Sequence, residues 1–510
     1  MNTFMNSLQN ATNYTYTENG ALTHKTTQSP LLDLFAMGAA MRSRSDDDCI
    51  NMFKNAFTYE PLYALKCLFY IRDILEGQGE RRFFRVCMNW LAEYNPKVAI
   101  RNLEYIPKLG RWDDLYTFVG TPVEAAAFDF MKRQFALDLS SKTPSLLAKW
   151  LKSENTSSAE SKKLGRLTRT YFKLSAKQYR KALSVLRGRI NVLEKLMSAG
   201  KWDEIEFDKI PSRAGMIYRN AFARHDIERM KSEKNVQSYE DFAKDTTKTV
   251  NAKAMYPYEC VEAAIKSMRW EHDRTWNANR RIVGLDRHDT ERLMVNKYWD
   301  NLTDYFNNAT FNGIAVVDTS GSMWGTPINV AISLGLYCAE HNSGPFANQY
   351  ISFASRPQLI RTDGVDFYDK VARIYETNLV DNTNIEAVFD LLLATALRND
   401  VKEEDIPKNI IIISDMEFDS ARGVYSRDGS EVRTLMENIA KKWADHGLTM
   451  PNLVYWNVDA RQDNIPMKVK NGVSFVSGFS PSIFEMIMSG KTAEDLMYAV
   501  LDKERYAGIH

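Results

Sequence analysis

From about residue 28 to residue 305, apolar positions recur at helical spacing. Ala64, Leu68, Ile71 and Leu75 fall at i, i+4, i+7 and i+11, and Phe83, Cys87 and Trp90 at i, i+4 and i+7. Leu183, Leu186, Ile190, Leu193 and Met197 continue one face and predict a helix of four turns. Gly77-Gln78-Gly79 separates the first two helices, as in antiparallel helical pairs. Ser175 and Gln178 fit a capping box. At about residue 306 the period changes. Gly313 to Val317, Ile410 to Ile413 and Leu453 to Trp456 are short apolar runs rich in β-branched residues. Helical stretches at about 327–342, 384–398 and 431–446 lie between or beside them. Apolar runs alternating with helices read as a parallel sheet covered on both faces.

The pattern therefore predicts three parts: a polar, flexible N-terminus (1–27), an all-α domain (28–305) and a doubly wound α/β domain (306–510). Gly110-Arg111-Trp112-Asp113-Asp114-Leu115 recurs as Gly200-Lys201-Trp202-Asp203-Glu204-Ile205, which favours a helical-repeat array over a single bundle. A chain of 510 residues is too long for one core. Its 44% apolar and 26% charged residues are those of an ordinary globular protein. No apolar run reaches the ~18 residues of a membrane span, and no secretory signal opens the chain. A cytoplasmic protein without a membrane partner is expected. The five cysteines form no Cys-x-x-Cys pair, so buried free thiols are expected rather than disulfides or zinc.

A net charge of +1 does not make the whole molecule a polyanion binder. Between Lys162 and Arg189, however, ten Lys/Arg residues occur without one acid: Lys162, Lys163, Arg166, Arg169, Lys173, Lys177, Arg180, Lys181, Arg187 and Arg189. On composition alone this is a solvated helix face. Phosphate backbones are the other common compensating partner, and Tyr171, Phe172 and Tyr179 lie among the cations as candidates for base stacking. Arg213, Arg219, Arg224 and His225 form a second, more mixed group.

Two of the apolar runs end in oxygen-bearing residues: Asp318-Thr319-Ser320-Gly321-Ser322 and Ser414-Asp415-Met416-Glu417. Loops after the carboxyl ends of parallel strands form the ligand crevice of such sheets. All-oxygen donors suit a hard cation, Mg²⁺ with Mn²⁺ or Ca²⁺ as alternatives. Asp and Ser also cap helices, so these residues alone leave a metal-free capping turn open.

Asp318-x-Ser320-x-Ser322, the later Thr in Asn382-Thr383-Asn384, and Asp415 after a long apolar strand resemble the metal-ion-dependent adhesion site of von Willebrand A domains. The resemblance implies a cation held by Asp318, Ser320, Ser322, Thr383 and Asp415, with a coordination position left for an acidic side chain or a phosphate from a partner. The combination with a helical half resembles the TROVE or Ro-type RNA-binding proteins, nearest to a bacterial, phage and eukaryotic branch without a settled function. That likeness rests on Leu68-Phe-Tyr-Ile-Arg-Asp-Ile74, Gly77-Gln-Gly-Glu-Arg-Arg82, Ile106-Pro-Lys-Leu-Gly-Arg-Trp-Asp-Asp114, Tyr218-Arg-Asn-Ala-Phe222, Asp415-Met-Glu-Phe-Asp419 and Val454-Tyr-Trp-Asn457, within a match over about residues 30–505.

It implies HEAT-like repeats, closed into a ring or left as an arc, and a small noncoding or structured RNA with a single-stranded end as partner. The ten cations then become RNA-binding candidates. With no nucleophile elbow, phosphate-binding Gly-x-x-x-x-Gly-Lys or His-Glu-x-x-His, the expectation is a non-catalytic, monomeric RNA-binding scaffold. A cation-dependent protein-interaction module and a metal-dependent nuclease using Asp318 and Asp415 are the alternatives.

Overall fold

The computed structural model describes residues 12–190, 192–231, 236–271, 281–306, 311–353, 356–376, 384–419, 433–487 and 491–510. Its contacts divide the chain into two interleaved units. One comprises Met1–Cys67, Met255–Arg287 and Leu302–Glu504; the other comprises Leu68–Ala254, His288–Asn301 and Arg505–His510. One crossing between the units, at residues 301 and 302, lies beside the change of local structure near residue 306. The expected helical stretch 28–305 contributes to both.

The first unit is built on a six-stranded sheet, preceded in sequence by two short hairpins. The hairpins are β1 (Tyr14–Tyr16) with β2 (Leu22–His24) and β3 (Arg269–Glu271) with β4 (Arg281–Val283). The sheet strands are β5 (Gly313–Val317), β6 (Gln349–Ser352), β7 (Gln358–Arg361), β8 (Asn409–Ser414), β9 (Asn452–Asn457) and β10 (Val473–Ser477). They lie in the order β10-β9-β8-β5-β6-β7. All neighbours are parallel except β6 and β7. β5 and β10 are buried at every position. Successive side chains point to opposite faces, so full burial means both faces are covered, as the unbroken apolar runs require. The helices Thr326–His341, Ile385–Arg398 and Leu435–Asp445 fall where the period placed them. β7, with three of its four residues exposed, is an antiparallel edge carrying no alternation to read.

The stretch expected to be flexible holds the β1–β2 hairpin instead; residues 1–11 lie outside the described residues. Asn19-Gly20 makes the turn, with Gly20 at φ 85°, where glycine is tolerated without strain. The hairpin is docked. Thr17 Oγ1 donates to the Phe418 carbonyl at 2.7 Å, and His24 pairs in antiparallel fashion with Ile465. Thr23 and His24 are buried as a result.

The helix Pro30–Met37 follows, capped by Ser29 and resting on β10. Its Asp33 accepts from the Thr27 amide and hydroxyl, both at 2.7 Å. Burial nevertheless pushes the Asp33 carboxyl up to about 6. A folded pKa above the unfolded one means that the folded state holds the proton more tightly. The carboxyl therefore costs nothing below about pH 4 and destabilises increasingly as pH rises from there to about 6. Asp33→Asn should raise stability at pH 7 by about 2–3 kcal/mol and leave it unchanged at pH 3.5. Urea unfolding at the two pH values checks this; equal gains at both would contradict it.

The second unit is helical. Its longer members are Arg82–Tyr94, Glu124–Ser140, Ala159–Phe172, Ala176–Arg189 and Ser212–Arg224. The Ser175 and Gln178 capping box is formed in both directions. The face predicted to run from Leu183 to Met197 is broken: Ala176–Arg189 ends at Ile190, and a separate short helix spans Leu193–Ser198. Both copies of the Gly-x-Trp echo open 3₁₀ turns. Trp112 stacks on Phe130 and Trp202 on His225. All five cysteines are buried thiols, none of them in a disulfide. Among the described residues no helix is long and apolar enough to cross a membrane.

Candidate metal centre and nucleic-acid surface

β5 and β8 are adjacent and parallel, with β6 on the far side of β5. The connections leave β5 in opposite directions, so the two loops after β5 and β8 flank a topological switch point, where open α/β sheets place their ligands. The Asp318 amide donates to Ile413 O at 3.0 Å, tying one loop to the other strand. Asp318 Oδ2 accepts from Ser414 Oγ at 2.5 Å, and its Oδ1 from the Ser320 amide at 2.9 Å. Ser320 Oγ and Ser322 Oγ lie 3.0 Å apart. Asp415 Oδ1 accepts from the Glu417 amide at 3.1 Å. Asp318, Ser320, Ser322 and Asp415 are thus gathered by two neighbouring loops. Thr383 lies outside the described residues.

Asp318 and Asp415 are almost wholly buried. Burial first, and the negative charge of Asp415 second, push the Asp318 carboxyl upward. A cation relieves such a pair of like charges. Among the described residues, no three His, Cys, Asp or Glu side chains group to hold a metal. The donors here are instead two carboxylates and two hydroxyls, a set suited to a hard, oxygen-seeking ion.

Glu18, Arg461 and Asn464 could not be read from the motif, whereas Glu417 stands within it. Arg461 Nη2 lies 2.9 Å from Asp415 Oδ2 and 2.9 Å from Glu18 Oε2. Glu417 accepts from the Glu18 amide at 2.6 Å and from Asn464 Nδ2 at 3.0 Å. Burial, more than the nearby charges, raises the Glu417 carboxyl to about 7. The hairpin turn carrying Glu18 therefore belongs to the rim of this site, and its one sequence signal is Asn19-Gly20.

In the helical unit the ten cations separate into two groups. Lys163, Arg166, Lys173, Lys177, Arg180 and Lys181 are exposed, and Lys162 is half-buried. Among the described residues no carboxylate lies within ion-pair distance of these seven. Arg169 is held by Glu154 at 2.5 Å. Arg187 donates to the Ala148 and Leu151 carbonyls at 2.8 Å and to Ser153 Oγ at 3.0 Å. Arg189 donates to the Leu139 carbonyl at 2.7 Å. Arg187 and Arg189 tie helices together, and Arg169 ties its helix to the loop before it. The aromatics do not offer free faces: Phe172 and Tyr179 are core residues, and Tyr171 stacks on Phe128 with centroids 4.4 Å apart. In the second group, Arg219 is paired with Glu291, and His225 lies on Trp202.

The family model described as a domain of unknown function, DUF2828, matches residues 17–136 and 136–310, more than half of the chain. The chain belongs to the DUF2828 family. A second model, described as a domain of unknown function, DUF7788, matches residues 312–507. The basic residues therefore fall in the DUF2828 segment and the cation-site residues in the DUF7788 segment. The chain is also similar to a protein of Acanthamoeba polyphaga mimivirus titled Uncharacterized protein L728. They share 30% identity over 516 aligned positions, covering 94% of this chain and 85% of the viral one. Among solved structures, the Ro (RSR) protein of Deinococcus radiodurans is similar at 13% identity and a TM-score of 0.46, covering 94% of this chain and 100% of that one.

Proposed function

We propose that this DUF2828 protein is a non-catalytic, Ro-like scaffold that binds RNA through its helical unit and holds a divalent cation, Mg²⁺ in the first instance, in its sheet unit. The observation that supports RNA binding is the row of exposed cations from Lys163 to Lys181, unneutralised by any carboxylate among the described residues. Uncompensated charge of one sign repels itself, and a phosphate backbone is the partner that relieves it along a whole face. On this reading the helices form the HEAT-like repeat array, and the protein acts in the cytoplasm on a structured noncoding RNA. The test is fluorescence anisotropy of a labelled single-stranded RNA 20-mer. Wild-type protein should bind and the Lys177→Glu/Arg180→Glu/Lys181→Glu variant should not; equal binding by both would overturn the surface assignment.

The sheet unit is read as a von Willebrand A-type domain whose cation would be held by Asp318, Ser320, Ser322 and Asp415. Bound there, Mg²⁺ would offer a coordination position to a carboxylate of a protein partner. Arg461 now occupies Asp415 Oδ2, so it competes with the ion for that carboxylate. Arg461→Ala should therefore tighten Mn²⁺ binding severalfold in a calorimetric titration, and Asp318→Ala should abolish it. Unchanged affinity in both variants would remove the cation from the account.

A further inference from the structure

The helical unit also contains a cavity of about 830 Å³, within the ~300–1,000 Å³ of ordinary small-molecule sites. It is lined by Lys149, Arg180, Arg187 and Lys195, none of which has a carboxylate within ion-pair distance among the described residues. Arg187 is the most telling. Its guanidinium is half-buried and, among the described residues, held by neutral groups: the carbonyls of Ala148 and Leu151 and the hydroxyl of Ser153. Those dipoles orient the charge without neutralising it, and a buried charge is costly unless paired.

Two acids also reach the cavity wall. Glu154 is already committed to Arg169. Among the described residues the Glu194 carboxylate receives one hydrogen bond, from the Tyr218 hydroxyl at 3.4 Å, and its buried Oε2 has no partner. A buried acceptor left without a donor is itself unfavourable. The walls are completed by apolar surface: the Trp150 indole, covered on one side by the Arg111 guanidinium at 3.9 Å, and Ile217, which is 68% exposed.

We propose that this cavity binds a nucleoside phosphate. The four unpaired cations take the phosphate, Glu194 Oε2 accepts from a ribose hydroxyl, and the apolar wall receives the base. The phosphate comes either from a free mononucleotide or from the terminal nucleotide of an RNA. The site shares Arg180 with the proposed RNA surface, so its test avoids that residue.

The experiment is isothermal titration of the full chain with AMP, with adenosine, and with an RNA octamer carrying either a 5′-phosphate or a 5′-hydroxyl. The same titrations are run on Lys149→Ala/Lys195→Ala, whose circular dichroism should match the wild type, and on Lys163→Ala/Arg166→Ala outside the cavity. AMP should bind at least about tenfold more tightly than adenosine, and the Lys149/Lys195 variant should lose at least about tenfold in AMP affinity. The Lys163/Arg166 variant should not. If only the octamer binds, and its affinity depends on the 5′-phosphate and on Lys149 and Lys195, the ligand is an RNA terminus. If phosphate makes no difference in either pair, the proposal falls. RNA binding that is nevertheless lost on reversing Lys177 and Lys181 would then stand by itself.

Discussion

Asp114→Ala lowers the stability of the helical unit by about 3–5 kcal/mol, the cost of removing one partner from a buried ion pair. Asp114 is completely buried, and its Oδ2 accepts from Arg72 Nε at 2.8 Å. Arg72 is itself 2% exposed. The other carboxylate oxygen accepts from Arg85 Nε at 2.7 Å, and the Arg111 amide donates to Oδ2 at 2.9 Å. One carboxylate thus serves two guanidiniums and a backbone N–H. Its removal leaves Arg72 charged, buried and unable to reach water. The echo copy supplies the control. Glu204, at the matching position, pairs with Lys201 at the surface at 2.8 Å. Glu204→Ala should cost no more than about 0.5 kcal/mol, as exposed pairs do. Urea titration of both variants decides between them, since equal destabilisation would mean that the Asp114 network is not what holds these helices.

Reversing Lys177, Arg180 and Lys181 to Glu should weaken RNA binding by about three orders of magnitude or more at low salt. It should also flatten the logarithmic salt dependence by about 2 units, because each phosphate contact to a single strand contributes roughly 0.7. The three residues project from one helix, Ala176–Arg189, into solvent, and among the described residues no carboxylate lies within ion-pair distance of them. The loss should therefore come without unfolding, which circular dichroism verifies. Arg187→Gln should behave differently. It removes the donors that tie Ala148 and Leu151 to this helix, so stability falls with it. A variant that loses RNA with no change in salt slope would point to a rearranged helix rather than to lost phosphate contacts.

What the sequence made legible was local. Asp318, Ser320, Ser322 and Asp415 could be read because each sits directly after a β-branched run, and strand plus loop are contiguous. Ser175 and Gln178 were legible for the same reason. Arg461 was not, because it reaches Asp415 across 46 residues, and Glu18 meets Glu417 across 399. No local pattern encodes such meetings. The hairpin at residues 14–24 escapes a reading by composition, because its polar residues suggest flexibility although Asn19-Gly20 is a strong turn signal. Its polar side chains are buried by partners far along the chain, such as the Ile465 carbonyl that accepts from Thr23 Oγ1 at 2.8 Å. Leu75 shows the opposite error. It fits the helical period of Ala64 and Leu68, yet the helix Pro61–Arg72 stops short of it and Leu75 is 45% exposed. Asp73, just past that end, is held by Arg505, with Arg505 Nη2 to Asp73 Oδ1 at 2.8 Å. Tertiary pairing, not periodicity, sets that boundary.

A helical unit that binds RNA in the cell should carry that RNA through purification. The protein would be purified from its cells under nuclease-free conditions beside the Lys177→Glu/Arg180→Glu/Lys181→Glu variant, and the RNA in each sample sequenced. A defined set of RNAs with the wild type, absent from the variant, is the expected result. No RNA in either sample, or the same RNAs in both, would contradict the account.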